Sequence, residues 1–337
     1  MKNKKKLWWL ALPVAVILTI VYLNYEPVFF NRKSIRVNKK TEVATNNWMK
    51  DLNGELHLSE INIPGVHDAA TNHVQLSFFS RCQYFGIYDM LNSGFRYLDI
   101  RLGITQDKKG KPDMKLMHGF TSCKKNVLPW SEPLYIQSVL DDCYKFLDEN
   151  PSETIIMCIK QEHGEESTEV FQNILYAFIE ANGDYWYLKN KDAALDEVRG
   201  KIVLAHRYEN GIFIDDFAGL DLVWIDQPGK EVKSEIYENN SQLNNHPMFV
   251  QDHYEYSRKD KWNVIEEGLS QVEDMPGFVL TFLSTKGTPK YGHPIYYARK
   301  INRKFMKLEL NQYQKYGWLI FDFGNSKIAQ KVIETNF

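Results

Sequence analysis

The sequence predicts an α/β fold in which parallel strands close into a (β/α) barrel that forms one catalytic domain. Short apolar strands alternate with longer amphipathic stretches along the chain, a pattern typical of a parallel sheet with helices outside it. About eight strands in roughly 300 residues also match the usual size of such a barrel. A doubly wound open sheet is the alternative, but no glycine-rich phosphate loop follows the first strand.

The strands are predicted from apolar and β-branched runs bounded by turn residues. They cover residues 60–65, 96–102, 114–119, 154–160, 201–207, 222–226, 247–252, 278–284 and 318–323. Helices are predicted over 134–150 and 168–182, and near 257–272 and 300–315, where apolar residues recur at helical spacing. Ser167 and Thr168 suit the amino-terminal cap of the second helix, and Pro151 ends the first.

Residues 1–23 differ from the rest of the chain, because a cluster of four lysines precedes an uncharged apolar run. This is a signal-like or membrane-anchor segment. Its exit lacks the small-residue pattern of a cleavage site, so we favour a retained transmembrane anchor over a secreted, processed form. The lysines place the amino end inside, and the catalytic domain would then lie on the extracellular side of the cell membrane. Residues 24–45 would form a tether, and 46–337 the barrel domain.

The charge balance argues against a nucleic-acid partner, since 41 Lys and Arg residues oppose 43 Asp and Glu residues. The cysteines form neither a C-x-x-C pair nor a zinc pattern. They are Cys82, Cys123, Cys143 and Cys158. Outside the cell they are compatible with one or two disulfides, although Cys158 lies inside an apolar strand and suits a small buried side chain.

Polar residues recur at the carboxyl ends of the predicted strands, which in a barrel converge on one mouth where active sites are built. They are His67, Asp68, His118, Lys160, Arg207, Asp252, Tyr254 and Asp322. In the strand RYLDIRL, Tyr97, Asp99 and Arg101 share one face. A charged row inside an apolar strand has to face a pocket or partners, so this face is predicted to line the same mouth.

Two histidines with several carboxylates and cations suit cleavage of a phosphodiester with no obligatory metal. Imidazoles have an unperturbed pKa of about 6.5, so both protonation states are available at neutral pH. Each placed proton-transfer group contributes roughly 10²–10⁴-fold in rate. Carboxylates orient the rings, and Arg or Lys stabilises charge on the phosphoryl group.

The chain from about residue 45 to residue 335 resembles the bacterial phosphatidylinositol-specific phospholipases C, single-domain enzymes of the X-domain family built on an irregular TIM barrel. The resemblance rests on the ordered motifs IPGVHDAAT, GFRYLDIRL, LMHG, ETIIMCIKQE, GKIVLAHR, VQDHY and LIFDF. It implies transfer of the phosphoryl group to the inositol 2-hydroxyl. The products would be diacylglycerol and inositol 1,2-cyclic phosphate, and no cofactor would be required.

The resemblance also implies catalytic roles. His67 would be the general base and Asp322 would orient it, while His118 would be the general acid with Asp68 as its charge partner. Arg101 would contact the phosphate. Ala69 departs from the family pattern, since many members carry Ser at this position, and the departure affects local hydrogen bonding only.

The inositol ring would be bound by Lys160, Arg207, Asp252 and Tyr254, the tyrosine by stacking and the others through the ring hydroxyls. Asp99 would support the residues that touch the substrate. These roles, too, are what the resemblance implies.

Arg101 bears on the metal question. Calcium-dependent relatives carry an E-x-D strand pattern, with Asn after the first histidine, whereas here the pattern is D-I-R and Asp68 follows His67. The resemblance therefore implies an enzyme without a calcium requirement and with no metal ligands.

Several of the predicted site residues also have a purely structural interpretation. His67-Asp68 could cap a loop, Arg101 could form a structural ion pair with Asp99, and His118 could be a turn histidine. The neighbouring His206 leaves open which side chain of the HR pair faces inward. For the whole chain, a glycerophosphodiester phosphodiesterase would need the E-x-D cluster, and a catalytically silent phosphoinositide-binding module is the third class.

Two rim segments, residues 73–88 and 285–300, are rich in aromatic residues, and the second is also basic. By the same resemblance they would touch the lipid surface, with ordinary helix packing or a solvated loop as the alternatives. The expected partner is phosphatidylinositol in a membrane surface, and we expect a monomer.

Overall fold

The computed structural model describes residues 3–24, 44–128, 130–162, 164, 166–208, 219–287 and 293–337. The strands are β1 (Ile63–Val66), β2 (Tyr97–Gln106), β3 (Pro112–His118), β4 (Thr121–Ser122), β5 (Ile155–Gln161), β6 (Trp186–Tyr187), β7 (Ile202–His206), β8 (Leu220–Asp221), β9 (Glu238–Asn239), β10 (Met248–Gln251), β11 (Phe278–Phe282) and β12 (Trp318–Phe321). The helices are α1 (Asn3–Asn24), α2 (Ser77–Ser80), α3 (Ile87–Asn92), α4 (Ile136–Glu149), α5 (Thr168–Glu180), α6 (Leu195–Val198), α7 (Arg258–Leu269), α8 (Pro294–Phe305) and α9 (Ser326–Ile333).

The sheet is mixed but mostly parallel. Its strand order is β6-β7-β5-β2-β1-β12-β11-β10-β9, with β8 also pairing with β7. The first and last long strands are neighbours, since Ile63 pairs with Trp318 and Val66 with Phe321. This pairing brings the two ends of the barrel domain together, and the carboxyl ends of β1, β2, β5, β7, β10, β11 and β12 all lie on one side of the sheet.

The barrel is not closed by a continuous backbone ladder in the described part of the chain. Between the segment after β8 and strands β9 and β10, side-chain amides form the hydrogen bonds to backbone groups that a neighbouring strand would form in a closed barrel. Asn244 accepts from the Val223 backbone N–H at 2.9 Å and donates to its carbonyl at 2.8 Å. Asn240 accepts from the Ile225 N–H at 3.0 Å, and Gln227 donates to the Val250 carbonyl at 3.1 Å. These amides satisfy backbone groups that a neighbouring strand would otherwise pair.

The prediction that residues 114–119 form a parallel strand of the barrel is wrong. Residues 112–118 form β3, which runs antiparallel to β2 with Leu102 opposite Leu116. The cause is a tight turn, since the Asp107 carboxylate accepts from the backbone N–H of Lys109 at 2.7 Å and of Lys111 at 2.9 Å. A connection this short can join only antiparallel strands. The hairpin nevertheless carries His118 to the barrel mouth.

The predicted strand at 222–226 is also wrong, since only Leu220–Asp221 pair as β8. The backbone beyond it bonds to the side-chain amides described above. The predicted helix at 300–315 is displaced, because α8 begins at Pro294, whose fixed φ suits a first helical position, and ends at Phe305. The other predicted strands and helices match observed elements to within a few residues.

The first strand runs through Pro64-Gly65, which the sequence alone indicates as its end. Gly65 lies between β12 and β2, and a Cβ there would lie 3.0 Å from side-chain atoms of both Ile320 and Tyr97. The glycine therefore serves close strand approach inside the barrel rather than a turn. The strand reaches Val66, so that His67 follows its last residue directly.

Helix α1 covers most of the predicted amino-terminal segment. None of the helices in the described ranges meets the combined length and apolarity needed to cross a membrane. That finding does not support the predicted transmembrane anchor. The predicted tether falls almost entirely outside the described residues. All four cysteines are buried and free, so the disulfides considered from the sequence are not formed.

Candidate active site

A cavity of about 660 Å³ opens at the carboxyl ends of the barrel strands. Its lining includes His67, Phe79, Cys82, Arg101, His118, Lys160, Arg207, Val223, Trp224, Asp226, Asp252, Tyr254, Ser284, Thr285, Lys286, Pro294 and Asp322. Eight of the ten residues predicted from the sequence line this space, while Asp68 and Asp99 are buried behind it. The structure thus brings together side chains that lie up to 255 residues apart.

His67 leaves β1 beside Asp322, which follows the neighbouring strand β12. The His67 Nδ1 atom lies 2.8 Å from Asp322 Oδ1. An imidazole whose Nδ1–H donates to a carboxylate keeps Nε2 free to accept, and Nε2 here points toward the Arg101 guanidinium, 2.9 Å away. The side chain of His67 is 17% exposed, so the ring is fixed by its neighbours and still reachable from the cavity.

His118 ends β3 on the other side of the cavity. Its Nδ1 lies 2.7 Å from the Ser80 carbonyl, which only a donating Nδ1–H satisfies. The centroids of the His67 and His118 rings are 6.4 Å apart, and the ring planes are inclined by 82°. Both Nε2 atoms approach the same Asp68 Oδ2, at 3.2 Å from His67 and 3.5 Å from His118. The two imidazoles therefore face one small volume.

Arg101 is surrounded by carboxylates. Its Nε lies 3.0 Å from Asp68 Oδ1, and its NH2 lies 3.2 Å from Asp99 Oδ2. Its NH1 is less tightly held, at 3.6 Å from Glu162 Oε1. The ion pair with Asp99 that the sequence suggested as a structural alternative is thus present, and Arg101 lines the cavity as well.

Asp99 is fully buried and does not reach the cavity. It accepts a hydrogen bond from the Asp68 N–H at 3.2 Å. Burial alone would raise the pKa of Asp99, but the charges of Arg101 and His67 outweigh it and hold that pKa below its usual value. Asp99 therefore supports Arg101 and the β1 turn as an ionised group.

Glu162 is a site residue that the sequence analysis missed. It follows Lys160 by two positions, so both side chains project from the same face of the chain. Its Oε2 accepts from Lys160 Nζ at 2.8 Å, and its Oε1 accepts from the Gly119 N–H at 3.0 Å. Burial raises its pKa, but Arg101 and Lys160 lower it to about 2. The period-2 spacing in IKQE was the signal that could have identified it.

The protonation of His67 depends on opposing effects. Burial and the charge of Arg101 lower its pKa, whereas Asp68 and Asp322 raise it, and the balance is a pKa of about 9. The 2.9 Å contact with Arg101 favours the neutral ring, since a protonated Nε2 cannot accept a hydrogen bond. With a pKa of about 9, His67 is mostly protonated at neutral pH, and the charge of Arg101 acts in the opposite direction by favouring the neutral ring, the form whose Nε2 can accept a proton.

The far half of the cavity is built around Trp224. Its Nε1 donates to Asp252 Oδ2 at 3.2 Å, and the Arg207 guanidinium carbon lies 3.3 Å from the centroid of its ring. Tyr254 donates to Asp226 Oδ2 at 2.8 Å. Trp224 and Asp226 were not predicted as site residues, although their period-2 spacing in LVWID indicates a shared face.

Burial shows which residue of the His206–Arg207 pair at the end of β7 faces the cavity. His206 is 1% exposed and pairs with Asp221 through Nε2 and Oδ1 at 2.7 Å, whereas Arg207 lines the cavity. Arg207 is therefore the residue of this pair that faces the site.

Three overlapping sets of donors in the described part of the chain could hold a metal ion, and all of them belong to this site. They are His67 with Cys82 and Asp322, Asp68 with Cys82 and His118, and His67 with Asp68 and Asp99. Burial, with the charges of Asp322 and Asp68, raises the pKa of the Cys82 thiol well above its usual value. The carboxylates of Asp68 and Asp99 are already paired with the Arg101 guanidinium, which takes the central position among them.

The rim segments are described in part. Phe79 on α2 is 46% exposed and lines the cavity. On α8, Tyr296 is 50% exposed and lies under the Arg258 guanidinium, while Tyr297 is 7% exposed. Residues 288–292 of the second rim segment lie outside the described residues.

The chain is similar in sequence to known proteins. Residues 65–208 match the family described as phosphatidylinositol-specific phospholipase C, X domain. A protein of Staphylococcus aureus strain Newman named 1-phosphatidylinositol phosphodiesterase is 28% identical over 313 residues, covering 86% of this chain and 94% of the relative. A protein of the same name from Listeria monocytogenes is 26% identical over 325 residues, covering 88% and 87%.

Solved structures extend the likeness to the fold. A phosphatidylinositol-specific phospholipase C from S. aureus, solved in work on its membrane binding, superposes with a TM-score of 0.68 at 25% identity. The match covers 87% of this chain and 98% of that one. The L. monocytogenes enzyme has the same fold, with a TM-score of 0.63 at 24% identity over 88% and 100% of the two chains. Residues 65–208 thus match the X domain of phosphatidylinositol-specific phospholipase C, and over most of its length the chain is similar in sequence and fold to bacterial proteins of that kind.

Proposed function

We infer that this chain is a phosphatidylinositol-specific phospholipase C. The observation that carries the inference is the pair of imidazoles, His67 and His118, whose rings lie 6.4 Å apart beside the Arg101 guanidinium at the mouth of the barrel. The relatives named 1-phosphatidylinositol phosphodiesterase support the same substrate class.

The reaction follows from the hydrogen-bond partners of the two rings. His67 Nδ1–H donates to Asp322, so Nε2 accepts the proton of the inositol 2-hydroxyl. The resulting oxygen bonds to phosphorus while the bond from phosphorus to the diacylglycerol oxygen breaks. His118, held through Nδ1–H on the Ser80 carbonyl, gives its Nε2 proton to that leaving oxygen. The products are diacylglycerol and inositol 1,2-cyclic phosphate.

Arg101 supplies fixed positive charge where a divalent ion would otherwise lie. The guanidinium is held by Asp68 and Asp99, and its loosely paired NH1 is available to a phosphoryl oxygen. Charge stabilisation by a group already in place needs no reorganisation during the reaction. The proposed reaction therefore runs without calcium.

The far half of the cavity is the proposed inositol site. Asp252 and Arg207 present charged acceptors and donors that suit ring hydroxyls, and both are held by Trp224. The Tyr254 ring has the Lys286 ammonium 4.7 Å from its centroid, and it offers a flat apolar surface to the sugar.

For the setting of the enzyme, we propose export to the outside of the cell, directed by the lysine-rich start and apolar run of residues 1–23. The segment either stays as an anchor or is removed. The proposed partner is phosphatidylinositol in a membrane surface, approached by Phe79 and Tyr296 at the rim, and the proposed active species is a monomer.

An assay on phosphatidylinositol vesicles containing a chelator tests the function, with ³¹P NMR to identify the product. We expect a cyclic phosphate signal from the native chain. His67→Ala and His118→Ala should each reduce the rate by roughly 10²–10⁴-fold, the usual contribution of one proton-transfer group.

His57→Ala is the matched control, since that histidine is exposed and does not line the cavity, and it should retain the native rate. Glycerol phosphate as the product would contradict the proposed reaction. Activity that appears only after calcium is added would contradict the role of Arg101.

A further inference from the structure

Lys261 is a buried cation outside the cavity lining. It lies in the first turn of α7, after Ser257, whose side chain accepts from the Asp260 N–H and begins the helix. Its side chain is completely buried in the described structure. A buried ammonium is costly unless it is hydrogen-bonded and paired, so its position requires specific partners.

Its partners lie on both sides of Asp252. Lys261 Nζ donates to the Gln251 side-chain Oε1 at 3.0 Å and to the His253 carbonyl at 3.2 Å. The Asp252 N–H between them donates to Gln227 at 2.6 Å. The end of β10 is thus held by Lys261 from one side and by Gln227 from the other.

The charged groups facing the Lys261 ammonium are Asp252 and Asp322, and the titratable His253 is its neighbour. Burial lowers the pKa of Lys261 to about 7, against the two carboxylates, which raise it. Burial also lowers the pKa of His253 to about 4, with Lys261 contributing, so this ring is neutral at neutral pH. The charges of the two carboxylates of the cavity therefore stabilise the protonated form of Lys261.

We propose that Lys261 is a positioning residue for substrate binding, which fixes the chain on either side of Asp252 so that its carboxylate faces the inositol ring. The inference rests on the proposed function. The hydrogen bonds of Lys261 go to the residues on either side of Asp252, which is held by Trp224 in the far half of the cavity. Lys261 therefore acts on binding of the ring more than on proton transfer.

The test compares Lys261→Met with Lys259→Met, a matched control because Lys259 is exposed on the same helix. In the full chain on phosphatidylinositol vesicles, Lys261→Met should raise KM by about tenfold with kcat within about twofold of the native value. Lys259→Met should change neither quantity. Lys261→Arg, which keeps the charge, should recover much of the native KM.

The Asp252→Asn background separates positioning from general stability. If Lys261 acts through Asp252, adding Lys261→Met to Asp252→Asn should raise KM by no more than about twofold, because the two effects are not additive. An equal further rise in KM would overturn the proposal, and so would a native KM in the single variant.

If Lys261→Met does not fold, the proposal is tested by measuring the KM of the native enzyme as a function of pH. Its KM should rise as pH increases through about 7, where the ammonium loses its proton, and this rise should be absent in Asp252→Asn. Equal rises in both proteins would overturn the proposal. Lack of turnover by the native chain would instead contradict the proposed function.

Discussion

At the residue scale, Asp68 contacts both imidazoles and the guanidinium of the site. Its Oδ2 faces both imidazoles and its Oδ1 faces Arg101, whereas the sequence predicted it as the partner of His118 alone. Its backbone has φ +45°, a left-handed conformation that Asp adopts more readily than most residues. With this turn after β1, Asp68 Oδ2 lies within 3.5 Å of the Nε2 atoms of both rings.

Asp322→Asn should lower the pKa of His67, because it removes the negative charge that stabilises the protonated ring while the amide oxygen can still accept from Nδ1–H. In the native chain that pKa is about 9, and we expect a fall of about one to three units, the usual effect of a close opposite charge. Histidine NMR across a pH titration measures it. An unchanged His67 pKa in Asp322→Asn would contradict this account.

The same shift has a consequence for stability. Because the pKa of His67 is raised on folding, its contribution to stability is complete below its unfolded value of about 6.5. That contribution is lost as pH rises through about 9. Asp322→Asn should therefore flatten the dependence of the unfolding free energy on pH between these values, as measured by urea denaturation.

At the element scale, the loop after β12 connects Asp322 to α9 within a few residues. The Asn325 side chain accepts from the N–H groups of Lys327 at 3.0 Å and Ile328 at 3.2 Å. The Phe323 N–H donates to the Cys82 carbonyl at 2.7 Å. Two local devices thus hold the chain immediately after Asp322.

Asn325→Ala should destabilise the protein by about 1 kcal/mol, the usual cost of losing an amino-terminal cap. Thermal unfolding should show a lower Tm, while Asn325→Asp, which retains an acceptor, should remain close to the native value. A loss of equal size in both variants would show that the side chain is not acting as a cap.

The β2–β3 hairpin illustrates a different rule at this scale. The sequence correctly places His118 at the end of a strand that reaches the mouth, but the strand is not one of the parallel barrel strands. A strand end can reach the site from outside the barrel order when a short turn folds it back. The position of His118 at a strand end therefore predicted its place in the site correctly, although the predicted strand topology was wrong.

For the whole molecule, a buried ion pair closes the end of the barrel opposite the site. Arg96 NH2 lies 2.7 Å from Glu153 Oε2, and both side chains are completely buried. Arg96 also donates to the carbonyls of Leu91, Phe95 and Asn46, at 2.7, 2.8 and 2.8 Å. One guanidinium thus joins two strand starts to the segment that precedes the barrel.

Arg96→Met should destabilise the protein by about 3–5 kcal/mol, because it leaves the Glu153 charge buried and unpaired. Urea denaturation measures the loss, and the rate per folded molecule should not change, since the pair lies away from the cavity. The double variant Arg96→Met, Glu153→Met removes both charges and should recover part of the loss. A double variant as unstable as the single one would contradict the unpaired-charge explanation.

Most strand ends, the shared face of Asp99 and Arg101, and the convergence of two histidines with several carboxylates are predictable from the sequence alone. These follow from local covalent geometry, since side chains alternate along a strand and parallel strands end on the same side. Other features are visible only in the folded structure: Asp68 contacts both rings, Glu162 and Trp224 contact residues of the cavity, Lys261 bonds beside Asp252, and amides replace a ladder beside β10. Those features depend on contacts between segments far apart in the chain, which packing of the whole domain selects and no local pattern specifies.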